Sequence, residues 1–262
     1  MRRVTDACGR TVEVPAAPQR VVSLCPSLTE TLAALGLAGR LVGRTRYCVH
    51  PALLRETVAD VGGTKQLHLD RIQALQPDLI IAEKEENRRE DVARLEHQCP
   101  VYVLDIRDIS KALAGIETLG MLIARPAQAT AMRQKIERVW RDLPALAPRR
   151  RVLYLIWRKP WMVVGADTYI DAVLDRLGLD NPARELEGRY PALHEDMLRS
   201  LDIDLCLLSS EPYPFTHEHV AEVQALLPAA AVACVDGEMF SWYGARMQPA
   251  AAYLCECVAR WR

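Results

Sequence analysis

The hydrophobic and polar positions of the chain alternate between short, continuous apolar runs and longer stretches with helical spacing. The apolar runs cover residues 21–24, 79–82, 101–104, 152–157 and 205–208, and such runs are typical of strands that are buried on both faces. Between them, apolar residues recur every three or four positions, which predicts helices. Strands that alternate with helices predict an α/β fold with mostly parallel sheets.

The stretch that divides the chain into halves is a long helical pattern at residues 125–148. Pro126 stands where the first helical position is expected, because a proline loses no hydrogen bond there. Apolar residues such as Ile136 and Trp140 follow at helical spacing, and Pro144 stops the run. The predicted organisation is an N-terminal α/β lobe at 1–124, a connecting helix at 125–148 and a C-terminal α/β lobe at 149–262.

The two halves repeat one arrangement. Residues 78–85 and residues 204–211 both begin with an aspartate, continue as an apolar strand and end with a glutamate. The next strands match as well, residues 101–105 over residues 232–236, and both end in an aspartate. The repeat predicts two Rossmann-like lobes, joined by the single long helix. Each lobe would present a glutamate and an aspartate at the carboxyl ends of its strands, Glu85 and Asp105 in the first and Glu211 and Asp236 in the second. Since ligands of open α/β sheets lie at that edge, we expect a binding cleft between the lobes.

Two local spacings predict structure rather than chemistry. Ser27 and Glu30 have the spacing of a capping box, in which each side chain accepts a hydrogen bond from the other residue's N–H at a helix start. Cys255 and Cys257 are two positions apart in a helical pattern, where their side chains point away from each other. A metal ion shared by these two cysteines is therefore not expected.

Charge and hydropathy exclude several classes of partner. The net charge is −1 and no dense block of Lys and Arg occurs, so neither nucleic acid nor an anionic membrane is an expected partner. No apolar run approaches the roughly 18 residues that a transmembrane helix needs.

The N-terminus and the cysteines bear on the compartment. Two arginines follow Met1 without an apolar segment or a cleavage site behind them, which is not the pattern of a secretory signal. The eight cysteines are scattered and mostly embedded in apolar runs, which favours reduced, buried thiols over a disulfide framework. We expect a cytoplasmic protein if Met1 is the native start, and a periplasmic one if a signal peptide has been omitted.

Aromatic residues concentrate in the loops around the predicted strands, although they make up only 6% of the chain. Such a group is typical of the wall of an apolar pocket in which a few polar groups fix the orientation of a ligand. Pro212 and Pro214 flank Tyr213 and stiffen its loop, which lowers the entropy lost on binding. The loop aromatics are Trp157, Trp161, Tyr190, Tyr213, Phe215, Phe240, Trp242 and Tyr243.

Three segments resemble those of a known family. They are residues 21–30 (VVSLCPSLTE), 69–81 (LDRIQALQPDLII) and 240–246 (FSWYGAR). Nearly the whole chain resembles the substrate-binding proteins of ABC importers for vitamin B12, iron–siderophores and haem. In these helical-backbone metal receptors one long helix joins two α/β lobes. The resemblance implies a non-catalytic protein that binds a metal-containing organic ligand in the cleft between the lobes.

The resemblance also implies which parts of the chain line that cleft. They are Pro26 and Ser27, the loop after Ile81, Trp157, the loop after Ser210 and the loop 236–242. Together with the strand-end acids and the loop aromatics, the predicted ligand-binding residues are Pro26, Ser27, Lys84, Glu85, Trp157, Trp161, Tyr190, Glu211, Tyr213, Phe215, Asp236, Glu238, Phe240, Trp242 and Tyr243. Neither a catalytic residue nor a protein-bound metal is expected.

The expected ligand is a metal complex rather than a bare ion. Relatives that bind zinc or manganese carry histidines at the strand ends, where this chain has residues 25–27 and 84–86. Cobalamin, haem or a ferric siderophore, stacked on aromatic side chains, fits these residues better. No intrinsic cofactor is expected. The expected partners are this small molecule and, if the protein is exported, the membrane subunit of an ABC importer; the protein itself is expected to be a monomer.

The alternative from another class is a metal-dependent enzyme or a metal carrier. Its ligands would be Glu85, Glu211, Asp236 and Glu238 with His194, His217 or His219. Because His217 and His219 diverge in a helix that Thr216 can cap, we interpret these two histidines as surface residues. A nucleophilic hydrolase is not expected, since the chain has no G-x-S-x-G elbow.

Overall fold

The structure, a computed structural model, describes residues 1–262 and divides them into two compact units. The first unit consists of Met1–Ile106, Ser110–Arg138 and Tyr243–Arg246. The second unit consists of Arg107–Ile109, Val139–Trp242 and Met247–Arg262. The lobe boundaries expected from the sequence, at 124 and 149, stay a prediction.

The first unit is built on a parallel sheet. Its strands are β1 (Arg2–Thr5), β2 (Thr11–Val14), β3 (Val21–Ser23), β4 (Leu41–Arg44), β5 (Ala59–Asp60), β6 (Gly62–Gly63), β7 (Gln66–Leu67), β8 (Leu79–Glu83) and β9 (Val101–Leu104). Its helices are α1 (Pro26–Leu32), α2 (Leu54–Thr57), α3 (Leu69–Ala74), α4 (Arg89–Glu96), α5 (Ile109–Leu122) and α6 (Pro126–Arg141), of which α6 continues into the second unit.

The five strands of the main sheet have the order β5-β4-β3-β8-β9, and every neighbouring pair is parallel. Side chains such as Val22, Ile72 and Ile80 form its core. The chain extends the sheet first to one side of β3 and then, from β8 on, to the other side. The gap between the ends of β3 and β8 is therefore the switch point, where open α/β sheets bind ligands.

An antiparallel hairpin of β1 and β2 precedes this sheet. The N–H of Ala7, in the hairpin turn, donates to the carbonyl of Val103 on the edge strand β9 at 3.0 Å. The hairpin therefore covers part of an edge that would otherwise present unpaired backbone groups.

The second unit contains a mixed sheet. Its strands are β10 (Arg150–Trp157), β11 (Trp161–Val163), β12 (Leu179–Asp180), β13 (Ala192–Leu193), β14 (Leu205–Ser209) and β15 (Ala231–Val235). Its helices are α7 (Tyr169–Arg176), α8 (Glu195–Ser200), α9 (Val220–Leu226), α10 (Glu238–Ser241) and α11 (Met247–Arg260). The strand order is β13-β11-β10-β14-β15, with β12 beside β10.

Parallel pairing dominates this sheet too. Strands β10, β14 and β15 are parallel neighbours, and β10 and β11 form an antiparallel hairpin. Two sheet-containing units with mostly parallel strands confirm the predicted α/β fold class.

The predicted repeat is present in the strand pairing, and its aspartates have structural roles. Asp78 accepts hydrogen bonds from the N–H groups of Gln19 and Arg20 at 2.7 and 3.0 Å. Asp204 accepts one from the N–H of Arg151 at 2.7 Å. Both carboxylates thus satisfy backbone donors beside the start of the neighbouring strand, β3 or β10, at the amino ends of the sheets.

Helix α6 begins at Pro126, as predicted, but ends at Arg141 instead of continuing to 148. The guanidinium of Arg176 donates to the carbonyls of Trp140, Arg141 and Leu143 at distances between 2.7 and 3.0 Å. These carbonyls have no partner within the helix, so a guanidinium placed here terminates it favourably.

The predicted capping box at Ser27 and Glu30 is wrong. Helix α1 begins at Pro26, so that Cys25 occupies the cap position and Ser27 already lies inside the first turn. A side chain inside the helix cannot cap it in this way. Glu30 instead pairs with Arg246.

The helices and cysteines agree with two further expectations. None of the helices combines the length and the apolar character needed to cross a membrane. Cys255 is exposed whereas Cys257 is buried, so the two side chains point apart as predicted.

Candidate ligand-binding site

Asn87 joins three backbone segments at the switch point of the first unit. Its amide nitrogen donates to the carbonyls of Leu24 and Thr64 at 3.0 and 3.2 Å. Its oxygen accepts the N–H of Glu83 at 2.9 Å. Because Leu24 follows β3 and Glu83 ends β8, this buried amide bridges the two central strands with both polar atoms hydrogen-bonded.

Glu83 organises the loops that follow β8 and β9. The side chain is only 2% exposed. One carboxylate oxygen accepts the N–H groups of Glu85 and Glu86 at 2.6 and 3.0 Å, and the other accepts that of Ile106 at 3.1 Å. Burial raises the pKa of Glu83 to about 7, and these hydrogen bonds oppose the rise. Sequence reasoning missed this residue, although a charged side chain ending an apolar run is a signal for it.

The structure places the predicted residues of α1 and of the β8 loop on the same edge of the first unit. Pro26 and Ser27 form the first turn of α1, where Ser27 is buried. Lys84 is exposed and pairs with Asp105, after β9, at 3.4 Å. Glu85 is half-buried in the same loop.

Tyr243 lies buried against the start of α1. Its hydroxyl is 3.3 Å from the sulfur of Cys25, and burial raises the pKa of both groups. The next residues follow α1 closely, since the N–H of Ala245 donates to the hydroxyl of Thr31 at 3.0 Å. A side chain at Gly244 would place a Cβ 2.0 Å from that hydroxyl, and the φ of +75° there also favours glycine.

Tyr47 is an exposed aromatic residue that sequence reasoning did not include in the site. It follows β4 at the carboxyl edge of the first unit and is 55% exposed. Its ring would lie 3.3 Å from a Cβ at Gly63, so the missing side chain of this glycine leaves room for the ring. The signal was available, because Tyr47 follows a strand as the other loop aromatics do.

Trp157 and Tyr213 meet at the carboxyl edge of the second unit, and we call this pair the aromatic platform. Trp157 ends β10 and is 40% exposed, and Tyr213 lies in the loop after β14. Their ring centroids are 5.7 Å apart with the planes at 72°. The N–H of Tyr213 donates to the carbonyl of Ile156 at 3.2 Å, which ties its loop to β10.

Buried rings support the aromatic platform from below. Phe215 lies 4.7 Å from Tyr213 and is stacked on Trp161 at 6.4 Å, measured between centroids. Trp161 and Phe215 belong to the hydrophobic core of the second unit. These two rings therefore pack beneath Tyr213 and are not part of the exposed surface.

His219 also contacts this group and is half-buried, whereas the sequence predicts a surface residue. Thr216 caps the following turn, as predicted, but its N–H donates to Nδ1 of His219 at 3.0 Å and turns the ring back over the loop. Nε2 then lies 3.1 Å from the hydroxyl of Tyr213. His217 is exposed, as expected.

Glu211 lies at the centre of the acidic groups of the second unit. Its carboxylate accepts the indole N–H of Trp242 at 3.0 Å and the hydroxyl of Ser241. Burial is the main cause that raises the pKa of Glu211, and the neighbouring Glu238 and Asp236 raise it further. Trp242 is buried, whereas Asp236 and Glu238 are half-buried.

Phe240 and Tyr190 are the remaining predicted residues, and their surroundings differ. Phe240 is fully buried, with its centroid 5.4 Å from that of Tyr154 and 6.4 Å from that of Trp261. Tyr190 is half-buried, with the guanidinium of Arg189 5.9 Å from the centre of its ring. Ligand contact by any residue of the predicted set, and a cleft between the lobes, stay predictions.

No group of three or more His, Cys, Asp and Glu side chains in residues 1–262 is arranged to hold a metal ion. The alternative of a metal-dependent enzyme or metal carrier also gains no support from the comparisons with known proteins, which match ligand-binding proteins.

Residues 21–232 match the family described as periplasmic binding protein. A vitamin B12-binding protein of Pectobacterium carotovorum subsp. carotovorum is 25% identical over 249 residues, which are 92% of this chain and 88% of that protein. A periplasmic heme binding protein from Pseudomonas aeruginosa has a TM-score of 0.77 and 26% identity, and the match covers 92% of each chain. The periplasmic vitamin B12 binding protein BtuF of Vibrio cholerae shares the fold, with a TM-score of 0.79, 20% identity, and coverage of 94% of this chain and 99% of that one. The protein therefore belongs to the periplasmic binding protein family and is a non-catalytic ligand-binding protein, as the sequence predicts.

Proposed function

We propose that the protein captures a corrinoid, a flat organic ring around a metal ion, for an ABC importer, and that the aromatic platform binds this ring. The observation that carries the proposal is the exposure of Trp157 next to Tyr213 at the carboxyl edge of β10 and β14. The predicted residues of the first unit, Pro26, Ser27, Lys84, Glu85 and Tyr243, remain proposed ligand contacts.

The exposure of Trp157 is unusual within this chain. The other four tryptophans, Trp140, Trp161, Trp242 and Trp261, are between 3% and 7% exposed. Covering an exposed indole with an apolar ring is favourable by about 25 cal/mol per Å² removed from water. Stacking on an aromatic face adds about 0.5–1.5 kcal/mol.

The acids near the aromatic platform favour a corrinoid over haem. Glu211, Asp236 and Glu238 place three carboxyl groups at the same edge of the second unit. Amide groups on the rim of a corrinoid can donate hydrogen bonds to carboxylates. The carboxylates of haem would instead be repelled by them. The vitamin B12-binding relative agrees with this choice.

We also propose the periplasm as the compartment and an importer membrane subunit as the partner, since the family and the named relatives are periplasmic binding proteins. Fractionation of cells that express the complete gene tests the compartment. A protein found only in the cytosolic fraction would overturn that part of the proposal.

Titration of the purified protein with cyanocobalamin, haemin and a ferric siderophore tests the ligand. We expect saturable quenching of tryptophan fluorescence by cyanocobalamin and weaker binding of the other two. Trp157→Ala should weaken cyanocobalamin binding at least about tenfold, which is about 1.4 kcal/mol.

The matched control is Met197→Ala, because Met197 on α8 is also 40% exposed and apolar. This variant should bind as the parent protein does. Tighter binding of haemin than of cyanocobalamin would replace the corrinoid by haem, and no response to any of the three compounds would refute the proposed function.

A further inference from the structure

We propose that His219 and Glu222, at the start of α9, are positioning residues that hold the aromatic platform in its binding orientation. The inference rests on the proposed function for the role of the platform in binding. Neither residue belongs to the predicted ligand contacts, and each acts through another side chain, His219 through Tyr213 and Glu222 through Arg158.

His219 holds the ring of Tyr213 at its polar end. Nε2 of His219 is 3.1 Å from the Tyr213 hydroxyl, and the two ring centroids are 5.5 Å apart at 82°. His219 is itself held, because its Nδ1 accepts the N–H of Thr216 at 3.0 Å. With its N–H bonded to Ile156, Tyr213 is thus restrained at both its backbone and its hydroxyl.

Glu222 holds the residue that follows Trp157. Arg158 donates from Nε and from a terminal nitrogen to the two carboxylate oxygens of Glu222, at 2.8 and 2.9 Å. This two-point geometry restricts the orientation of the guanidinium more than a single contact does. The hydrogen bonds from Arg158 also lower the pKa of Glu222, as expected for a carboxylate that is ionised in this pair.

The turn after Trp157 is one that needs such support. Lys159 has a φ of +60°, a left-handed conformation that costs energy in a residue other than glycine. The turn reverses the chain from β10 into β11. Because Arg158 lies between Trp157 and this residue, its attachment to Glu222 fixes the backbone from which the exposed indole projects.

His219 and Glu222 are three positions apart where a 3-10 turn (His217–His219) runs directly into α9. Residues at this spacing lie on the same face of a helix. One helical face therefore holds both halves of the aromatic platform. A platform ordered before binding loses less entropy when the ligand arrives, which strengthens binding without a new contact.

The first experiment needs no ligand. Trp157 is the one strongly exposed tryptophan, so the emission that acrylamide quenches reports on it. We expect Glu222→Ala to lower the fluorescence anisotropy of this quenchable fraction, because the indole gains freedom. The matched control is Glu195→Ala, which removes the exposed Glu195–Arg199 pair, at 3.3 Å in the same unit, and should change nothing.

The second experiment measures cyanocobalamin binding. Glu222→Ala should weaken it about threefold to tenfold at an unchanged melting temperature, and Glu195→Ala should not. The exchanged pair, Arg158→Glu with Glu222→Arg, should restore both the affinity and the anisotropy. If the role of Glu222 is purely structural, Glu222→Ala should lower the melting temperature instead. If Glu222→Ala and Glu195→Ala bind cyanocobalamin equally well, the proposal is overturned.

Two substitutions at His219 separate its two contacts. His219→Asn keeps an acceptor near the position of Nδ1 for the N–H of Thr216, but cannot reach Tyr213. His219→Gln keeps the reach to Tyr213. We expect the Asn variant to bind more weakly than the Gln variant, and the reverse order would overturn the role of His219. If the parent protein binds none of the compounds, the proposed function fails, while the anisotropy measurement still decides whether α9 positions Trp157.

Discussion

Arg246 and Glu30 form a two-point ion pair inside the first unit, although they stand far apart in the chain. Nε and a terminal nitrogen of Arg246 lie 3.0 and 2.9 Å from the two carboxylate oxygens of Glu30. The two side chains are only 10% and 17% exposed, respectively. The pair therefore attaches the segment Tyr243–Arg246 to α1 together with the hydrogen bond between Ala245 and Thr31.

Removing one partner of this pair should destabilise the protein strongly. Arg246→Met takes the guanidinium away from a carboxylate that stays nearly buried, and such a change costs about 3–5 kcal/mol. Urea denaturation measures the loss. Replacing both residues, Glu30→Leu with Arg246→Met, should recover most of the lost free energy of unfolding, because no charge is then left buried.

The control for this cycle is Glu117→Gln, which breaks the half-exposed Arg133–Glu117 pair, whose atoms lie 3.6 Å apart. An exposed pair contributes about 0–1 kcal/mol. If the single and the double substitution at residues 30 and 246 cost the same, the ion pair is not the source of the effect.

Glu83 should make the free energy of unfolding decrease as the pH rises toward neutrality. Its pKa is about 7 in the folded protein against 4.5 as the ordinary value. Between these values the folded state holds a proton that the unfolded chain has released, so the folded state binds more protons and loses stability with rising pH. The contribution is complete below the lower value, is lost above about 7, and is on the order of 3 kcal/mol.

Urea denaturation between about pH 4.5 and 8 tests the effect of Glu83. Glu83→Gln keeps one oxygen acceptor but cannot ionise, so its stability should vary less over this range. Parallel curves for the parent protein and the variant would contradict the assignment to Glu83.

Phe240 and Trp157 should respond in opposite ways to truncation. Phe240 is fully buried, so Phe240→Ala should cost about 3–5 kcal/mol of stability and leave the affinity of the folded fraction nearly unchanged. Trp157→Ala should weaken binding and leave stability nearly unchanged. Paired thermal denaturation and cyanocobalamin titration distinguish the two. Lost binding at full stability in the Phe240 variant would show instead that this ring contacts the ligand, as the sequence predicts.

Arg176 should stabilise the end of α6. Its guanidinium donates to the carbonyls of Trp140, Arg141 and Leu143, and hydrogen bonds from a charged donor contribute about 1.5–3 kcal/mol. Arg176→Met should therefore lower the free energy of unfolding by about 2 kcal/mol. Arg199→Met, at an exposed pair, is the control, and an equal effect of both would rule out a capping role.

Most of the fold follows from local patterns in the sequence. The apolar runs of β8 and β14 and the aspartates that precede them predict equivalent strands, and both strands pair in parallel with a central neighbour. The hydrophobic period and the spacing of residues depend only on residues that are near each other in the sequence. They therefore predict helices and strands whatever the tertiary arrangement is. The predicted capping box is absent because α1 begins at Pro26, which leaves Ser27 inside the first turn, and because Glu30 pairs with Arg246 from a distant part of the chain.

The candidate site was only partly accessible from the sequence. The positions of Trp157, Tyr213 and Glu211 at or after the ends of their strands were predictable, because parallel strands bring their carboxyl ends to one edge. Whether each of these side chains is buried or exposed was not predictable. Phe240, on the short helix α10, and Trp161, on β11, were predicted to line the site together with Trp157, yet both lie in the core.

The sequence by itself thus determined the alternation of strands and helices, the repeat of Asp78–Glu85 in Asp204–Glu211 and membership of a ligand-binding family. Only the tertiary structure decided that Trp157 stays exposed, that Glu83 is buried beneath three backbone N–H groups and that His219 turns back onto Tyr213. The physical reason is that burial and pairing depend on which distant residues come to lie nearby, whereas secondary structure depends mainly on neighbours along the chain.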